Sequence, residues 1–371
     1  MNSKKLYLIS TLLLLSIFIS ACSSSVYAST SWHGLTADAN FAYLAAGTQV
    51  YGVDLNTGIQ KWKFPAKPNA KGFYANPVLT PDGQLLVPSY DHFLYNIDPN
   101  NLDPSTGTPT TKWSSPPDLK NRLIASPLII NNSVYQPSSD GNVYVIDLAT
   151  GAIISKISIS KEPLWAQPVE GASCKCFYIA SMNHSVYSFK IADNSQLWRS
   201  ADLGGSIVGK PAVGPDGTVY VGTFGSELVA LDGTTGSVKW RFSTKDWVWA
   251  GPILDNNSLY FGDLSGNFYA VNAADGSALW TPIKPNNSIV DTAVISRTNL
   301  YLTTEADSLY TISTAGTITN TAVVGGIMYT APVIAGDKIL VAPTGFGTTL
   351  LVALSLENPS GSQKWAFTPA K

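Results

Sequence analysis

Residues 206–242 read SIVGKPAVGPDGTVYVGTFGSELVALDGTTGSVKWRF, and residues 247–280 repeat the pattern as WVWAGPILDNNSLYFGDLSGNFYAVNAADGSALW. Proline, tyrosine, glycine, a short turn, an apolar run, glycine and tryptophan follow one another in the same order. Within each copy, alternating segments are separated by turn residues such as Asp216-Gly217 and Ser265-Gly266, which is typical of consecutive antiparallel strands. Each copy therefore predicts a small antiparallel sheet.

The same unit recurs through the rest of the chain after an N-terminal segment. Eight copies, spaced about 42 residues apart, begin near Ser31, Phe73, Leu123, Leu164, Ile207, Val248, Ile289 and Met328. No stretch beyond the N-terminal segment shows sustained helical periodicity. A repeat of four short strands cannot bury both faces alone, so such repeats close into a ring. We predict an all-β, eight-bladed β-propeller of four-stranded antiparallel blades over residues 31–371.

A turn followed by tryptophan ends most of the repeats, as in DLNTGIQKW from Asp54 and DGTTGSVKW from Asp232. We expect this tryptophan on the outer strand, packed against the neighbouring blade and worth several kcal/mol of stability. The predicted blade-docking residues are Trp62, Trp113, Trp198, Trp240, Trp280 and Trp365. The third and seventh repeats lack it, near Ile154 and Ile318, so their seams are expected to be the weakest.

The first residues carry an export signal. Lys4 and Lys5 precede an apolar run over residues 6–19, and Ser20-Ala21-Cys22 follows. This ending resembles the bacterial lipobox, which implies that Cys22 is lipidated, that residues 1–21 are removed and that residues 22–30 form a polar tether. The alternative is an ordinary secretory peptide. We expect anchoring to the outer membrane or, in a host with a single membrane, to the outer face of the cell membrane.

Composition argues against a nucleic-acid partner. Without Lys4 and Lys5, 21 basic side chains face 25 acidic ones, a formal net charge of −4. Such a chain presents no field that attracts polyanions. We expect a monomeric ring with a polar, weakly charged surface.

Two cysteines and three histidines are the candidate reactive groups of residues 31–371. Cys174 and Cys176 would share one face of a strand, and two free thiols are favoured over a strained bridge. His33, His92 and His184 fall at non-equivalent positions of different repeats, which favours structural or solvated roles. No metal-ligand spacing is present.

The pattern of proline, Tyr-apolar-Gly, Ala-apolar-Asp, Thr-Gly and tryptophan resembles the PQQ-type repeat over essentially all of residues 31–371. The resemblance implies one of two branches. Quinoprotein dehydrogenases hold pyrroloquinoline quinone and calcium, whereas BamB-like lipoproteins of the outer-membrane assembly machinery are non-enzymatic. Cys174 and Cys176 are not vicinal, and no calcium set of Glu, Asn and Asp can be placed. We therefore expect the non-enzymatic branch, with no catalytic residue, cofactor or metal.

One repeat position suggests a binding surface. Three residues before the proline, or its substitute, stand Trp32, Tyr74, Ile124, Trp165, Val208, Trp249, Val290 and Tyr329. This segment precedes the innermost strand, so the five aromatic residues would form an interrupted ring at one mouth of the channel. The polar side chains one step deeper are Asn76, Ser126, Gln167 and Lys210. The alternative is that the aromatic residues pack between blades.

Three functions follow from these patterns. The first is an envelope scaffold that binds a protein or peptide, including the outer-membrane assembly machinery. The second is a quinone-dependent dehydrogenase. The third is a carbohydrate-binding surface propeller, which the aromatic ring also permits.

Overall fold

The chain is described by a computed structural model over residues 32–172, 174–345, 347–361 and 363–370. The predicted signal peptide, Cys22 and the tether lie outside the described residues. Strands but no α-helix occur among the described residues, which accordingly offer no helix long and apolar enough to cross a membrane. The prediction of an all-β, eight-bladed propeller is confirmed.

Each blade is an antiparallel sheet formed by one continuous stretch of chain, and its strands pair in chain order. In blades 1 to 4 the strands are β1 (Gly34–Ala37), β2 (Phe41–Ala46), β3 (Gln49–Asp54), β4 (Gln60–Phe64); β5 (Val78–Leu79), β6 (Leu85–Pro88), β7 (Leu94–Leu102), β8 (Pro109–Thr111); β9 (Leu128–Ile130), β10 (Ser133–Pro137), β11 (Asn142–Asp147), β12 (Ile153–Ser158); β13 (Val169–Glu170), β14 (Cys176–Ala180), β15 (Val186–Lys190) and β16 (Gln196–Arg199).

The second half of the ring follows the same plan. In blades 5 to 8 the strands are β17 (Ala212–Val213), β18 (Val219–Thr223), β19 (Glu227–Leu231), β20 (Val238–Ser243); β21 (Ile253–Asp255), β22 (Ser258–Gly262), β23 (Phe268–Asn272); β24 (Val294–Ser296), β25 (Asn299–Thr303), β26 (Ser308–Ser313), β27 (Ile318–Val323); β28 (Val333–Ala335), β29 (Lys338–Val341), β30 (Leu351–Ser355) and β31 (Trp365–Phe367). Blade 6 has three regular strands, and two isolated bridges, Phe268 to Ile283 and Val271 to Ala278, hold its outer segment.

The hydrophobic core is divided among the seams between blades. The described residues form eight separate clusters of buried side chains, and each cluster joins two neighbouring blades. Alternation along β2 explains the division, because successive side chains of a strand point to opposite faces. Leu44 packs with Leu340 of blade 8, whereas Tyr43 packs with Leu85 of blade 2. Both faces of a blade are therefore buried only when the ring is closed.

Five tryptophans fasten one blade to the next. Each indole N–H donates to a backbone carbonyl of the following blade at 2.8 to 3.3 Å. The indole ring also covers a glycine of that blade's turn, where a Cβ would come within 3 Å of it. These pairs are Trp365 with Gly58, Trp113 with Gly151, Trp198 with Gly236, Trp240 with Gly276, and Trp280 with Gly316. The ring closes between blades 8 and 1 through the first of them.

Trp62 departs from this pattern. It is buried against Tyr43, but its indole N–H has no partner among the described residues. The turn of blade 2 that would offer the carbonyl is interrupted, since the pairing of β7 with β8 shifts between Asp98 and Leu102. The seam between blades 1 and 2 therefore keeps the ring packing of its tryptophan without the hydrogen bond.

The two seams without tryptophan are polar. Strand register places Ser155 and Asn320 at the tryptophan position, whereas Ile154 is a bulge residue and is 58% exposed. Asn194 Nδ2 donates to Ser155 Oγ at 3.4 Å, and Asn320 Nδ2 donates to Ser360 Oγ at 2.7 Å. Side-chain hydrogen bonds thus replace the tryptophan contacts at the seams of blades 3 with 4 and 7 with 8.

Cys174 and Cys176 form a disulfide with a Cα–Cα distance of 5.1 Å. The expectation of two free thiols on a strand is therefore wrong. Cys174 lies in the turn before β14, and Lys175 adopts a left-handed φ of 48°, which turns the chain so that the two sulfur atoms meet.

Candidate functional site

The segments that lead into the first strand of each blade meet around one cavity of about 360 Å³ on the channel axis. All eight residues of the repeat position identified in the sequence line it: Trp32, Tyr74, Ile124, Trp165, Val208, Trp249, Val290 and Tyr329. The five aromatic residues are partly buried, so a part of each side chain packs on the protein and a part faces the cavity. The geometry gathers the residues, and their role as a ligand ring remains a proposal.

Hydrogen bonds between neighbouring blades fix the wall of the cavity. Asn76 Oδ1 accepts a bond from the backbone N–H of Leu35 at 2.9 Å, and Ser126 Oγ donates to the carbonyl of Asn76 at 2.8 Å. Gln167 Nε2 donates to the carbonyl of Pro127 at 3.0 Å. Three of the four polar side chains predicted one step deeper thus join blades, and Lys210 is the exception.

A cluster of aromatic side chains extends the mouth outward at blades 5 and 6. Phe224 stacks on Trp247 with a centroid distance of 4.8 Å and an angle of 8°, and it contacts Trp249 at 5.1 Å. Trp247 is 46% exposed. Phe224 was missed in the sequence because it lies in the turn after β18, outside the repeat position that was compared.

A second cluster lies at blades 1 and 2, on the opposite side of an eight-membered ring. Trp32 meets Tyr74 edge-on at 6.4 Å, and Tyr74 meets Tyr90 at 4.3 Å. The Arg122 guanidinium lies 5.6 Å from the centre of the Tyr90 ring, within the range of a cation–π contact. The mouth therefore has two aromatic sides that face each other.

The wall contains three more polar residues, of which the sequence singled out only His33, as a structural or solvated histidine. The position after each ring residue is alanine or glycine in five blades, but it is His33, Asp291 and Thr330 in blades 1, 7 and 8. Those blades are consecutive around the closed ring. Aligning the repeats at this position would have shown the departure. The small residues let the inner segments approach closely, and the three substitutes make one sector of the wall polar.

Burial shifts the titration of the groups in this wall. It lowers the pKa of His33 to about 4, and neither ring nitrogen of His33 has a partner among the described residues. It raises the pKa of Asp291 to about 6, against the opposing effect of hydrogen bonds from the backbone N–H groups of Thr292 and Ala331. It also lowers the pKa of Lys210. These shifts have one cause, the loss of water around each group.

The residues present do not fit the quinone and calcium of a quinoprotein. Calcium takes six to eight oxygen ligands, but in the described part of the chain no three His, Cys, Asp or Glu side chains are placed to share a metal ion. Both carboxylate oxygens of Asp291 accept backbone hydrogen bonds. The Cys174–Cys176 disulfide does not line the cavity, so it could not cover a cofactor there.

Sequence relatives share the repeat. A protein from Shewanella oneidensis named outer membrane protein assembly factor BamB is 25% identical over 246 residues, which are 60% of this chain and 55% of that protein. A protein of the same name from Burkholderia pseudomallei is 25% identical over 182 residues, 46% of this chain and 45% of that protein. A tetrathionate hydrolase from Acidithiobacillus ferrooxidans is 24% identical over 150 residues, 33% of this chain and 30% of that protein. The chain thus spans from about a third to about half of the length of these relatives.

Solved structures share the fold. BamB from Moraxella catarrhalis superposes with a TM-score of 0.67 at 16% identity, covering 86% of this chain and 92% of that one. The computationally designed protein Ika8 superposes with a TM-score of 0.73 at 13% identity, covering 88% and 96%. At these identities the likeness concerns the fold alone.

The family model described as outer membrane protein assembly factor BamB matches residues 23–170 and 182–289, which is more than half of the chain. The match runs through six of the eight blades, and it agrees with the resemblance to PQQ-like repeats that the sequence motifs indicated. The chain therefore belongs to the BamB family of PQQ-like repeat β-propellers.

Proposed function

We propose that this chain is a cell-envelope lipoprotein whose propeller is a non-catalytic scaffold, binding a segment of a protein or peptide at the channel mouth. The observation that carries the proposal is the meeting of five aromatic residues of one repeat position at a single cavity: Trp32, Tyr74, Trp165, Trp249 and Tyr329. Tryptophan and tyrosine are enriched where proteins bind each other. The name shared by two relatives supports a partner in outer-membrane assembly.

The lipid anchor is part of the same proposal. Acylation of Cys22 would hold the propeller at the outer membrane, or at the outer face of the cell membrane in a host with one membrane. Metabolic labelling with a fatty acid should mark the full chain, and Cys22→Ser should lose both the label and detergent-phase partitioning. Labelled protein in the Cys22→Ser variant would contradict the assigned anchor.

The cavity supports a binding role over a hydrolytic one. Among the described residues no hydroxyl or thiol is hydrogen-bonded to a histidine ring, which is the arrangement that activates a nucleophile. Because one relative is named tetrathionate hydrolase, the purified protein should be incubated with tetrathionate. We expect no turnover above the buffer, and turnover that is lost in a cavity variant would overturn the non-catalytic assignment.

Site-specific crosslinking in the native envelope tests the scaffold directly. A photo-reactive amino acid at position 247 should yield a defined crosslinked protein, whereas the same group at position 279 should not. Leu279 is similarly exposed, at 45%, but it lies in the outer segment of blade 6 and outside the cluster of Phe224, Trp247 and Trp249. Adding Trp249→Ala should reduce the product at position 247. Equal products from positions 247 and 279 would reject the mouth as the binding surface.

The aromatic ring also suits sugars, and the same variants separate that possibility. Binding to a glycan array that disappears in Trp165→Ala and Trp249→Ala, without any crosslinked protein, would assign the mouth to carbohydrate instead.

A further inference from the structure

The cavity carries charges of both signs that do not neutralise each other. Asp291 and Glu305 line it from blade 7, and Lys210 lines it from blade 5. In the part of the chain that the structure describes, no ion pair within 4 Å joins Lys210 to an acidic side chain, and burial alone accounts for its lowered pKa. The wall thus has an acidic pole and a basic pole that are separated by one blade.

Among the described residues, no basic side chain forms an ion pair with Asp291 or Glu305 at the acidic pole. The carboxylate of Asp291 is held by two backbone N–H groups at 2.7 Å, yet burial still raises its pKa to about 6. Glu305 lies near enough to Tyr329 for its charge to add to the effect of burial in raising the pKa of that phenol. A carboxylate in this position gains from a positive charge brought by another molecule.

A second, independent feature points to a ligand. His33 lines the cavity and is 2% exposed, and both of its ring nitrogens lack a partner among the described residues. The indole N–H of Trp165, also in the wall, is likewise unsatisfied. A buried polar group without a partner destabilises the folded protein. These atoms lie just beneath the cavity surface, so a hydrogen-bonding ligand would reach them after a small shift of the neighbouring side chains.

The aromatic residues complete the acidic pole. Trp249 lies in blade 6, Tyr329 in blade 8 and Trp32 in blade 1, so they flank Asp291 and Glu305 on both sides. A cation held near a carboxylate and against the face of an aromatic ring is favoured by both.

We propose that the cavity binds a dipolar organic ligand, with its amine or guanidinium group at Asp291 and Glu305 among the aromatic rings and its carboxylate at Lys210. The volume of about 360 Å³ lies within the range of small-molecule sites. In one form this inference rests on the scaffold function proposed above. The ligand is then a pair of oppositely charged side chains on the bound segment of the partner protein. The same chemistry is offered by a free zwitterion.

Titration calorimetry with matched probes tests the proposal on the full-length protein in detergent. Nα-acetyl-arginine carries both charges, its methyl ester carries the cation alone, and Nα-acetyl-citrulline carries the anion alone. We expect the first to bind at least about tenfold more tightly than either of the others. A peptide, acetyl-Ala-Arg-Ala-Ala-Glu-Ala-amide, carries both charges on side chains and represents a partner segment.

Charge-removing variants assign the poles. Asp291→Asn should weaken the binding of Nα-acetyl-arginine by about tenfold and leave the affinity for Nα-acetyl-citrulline unchanged. Lys210→Gln should weaken the binding of Nα-acetyl-arginine and leave the affinity for its methyl ester unchanged. Glu357→Gln and Lys364→Gln, which remove exposed charges outside the cavity, should change none of these affinities. Because each variant is compared on two probes, a general loss of folding is distinguished from the loss of one pole.

Each outcome has one meaning. Binding of the peptide alone assigns the site to a protein segment, and binding of Nα-acetyl-arginine assigns it to a small molecule as well. Equal affinity for the three small probes, or no binding of any probe, overturns the proposal. If probes bind but no envelope protein crosslinks at position 247, the scaffold function fails while the dipolar site stands. If crosslinking persists unchanged in Asp291→Asn and Lys210→Gln and no probe binds, only the dipolar site fails.

Discussion

Trp365 in the last blade donates its indole N–H to the carbonyl of Leu55 in the first blade at 2.8 Å, across 310 positions of sequence. Among the described residues no strand is shared between the two blades, so the ring is closed by this contact, by the buried side chains around it and by the hydrogen bond from Thr330 Oγ1 to the carbonyl of His33. The closing seam is built in the same way as four of the other seams, with a tryptophan over a glycine.

Replacing this tryptophan separates its two contributions. Trp365→Phe should keep most of the ring packing and leave the Leu55 carbonyl unsatisfied, at a cost of about 1–3 kcal/mol in the free energy of unfolding. Trp365→Ala should cost about 3–5 kcal/mol because a cavity is added. Urea unfolding followed by tryptophan fluorescence measures both, and equal losses would show that the hydrogen bond dominates the seam.

Two glycines with the same backbone conformation test the role of the covered turn. Gly236 has a φ of 74° and lies under Trp198, whereas Gly217 has a φ of 83° and has open space around it. Gly217→Ala should destabilise by about 1–2 kcal/mol through backbone strain alone. Gly236→Ala should cost about 1–3 kcal/mol more, since the methyl group meets the indole. Equal losses of stability for Gly236→Ala and Gly217→Ala in thermal unfolding would show that the added methyl group does not clash with the Trp198 indole.

The polar seam between blades 3 and 4 can be converted to the tryptophan type. Ser155→Trp alone should not be stabilising, because Asn194 holds the place of the covered glycine. Adding Asn194→Gly should recover at least about 1 kcal/mol relative to the sum of the single changes, as expected for residues in contact. A double-mutant cycle on unfolding free energies gives this coupling, and additive effects would show that the two positions are independent.

Burial of His33 makes stability depend on pH. The folded protein holds the pKa of His33 at about 4, below the unfolded value of about 6.5, so the unfolded chain binds the proton more readily. The contribution of neutral His33 to the free energy of unfolding is fully present above pH 6.5 and is lost as the pH falls to about 4. The total loss is about 3 kcal/mol. The effect of Asp291 has the opposite sign, because its folded pKa is raised, and it contributes equally to the wild type and to His33 variants.

Comparison with a variant isolates the histidine. The unfolding free energy of the wild type should fall by about 3 kcal/mol relative to that of His33→Gln as the pH decreases from 7 to 4. Parallel curves for His33→Gln would show that folding does not lower the pKa of His33.

The repeat made the fold predictable. A period of about 42 residues with turns in fixed places defines the blades without knowledge of any contact, and the position before the proline placed five aromatic residues at one mouth. The bonds between blades could not be predicted in the same way. Whether Asn76 faces a ligand or the N–H of Leu35 depends on how closely two segments 41 residues apart approach each other, which alignment of repeats does not report.

The structural consequences of departures from the repeat were harder to predict from the sequence. The loss of tryptophan in two blades was visible, but the residue that replaces it was not, because a bulge shifts the register by one position and exposes Ile154 instead of Ser155. His33 and Asp291 occupy a position that is small in most blades, and their significance emerges only when blades 1, 7 and 8 are neighbours. The Cys174–Cys176 disulfide depended on a left-handed φ at Lys175, which no spacing rule indicates.

The two polar seams lie four blades apart and therefore divide the circle into equal arcs. Blades 4 to 7 form one arc and blades 8 to 3 the other, and within each arc every junction contains a tryptophan. The ring thus consists of two halves of four blades, and the two polar seams between these halves lie on opposite sides of the channel. Lys210 and Asp291 belong to one half and His33 belongs to the other. A molecule bound by all three residues would therefore connect the two halves.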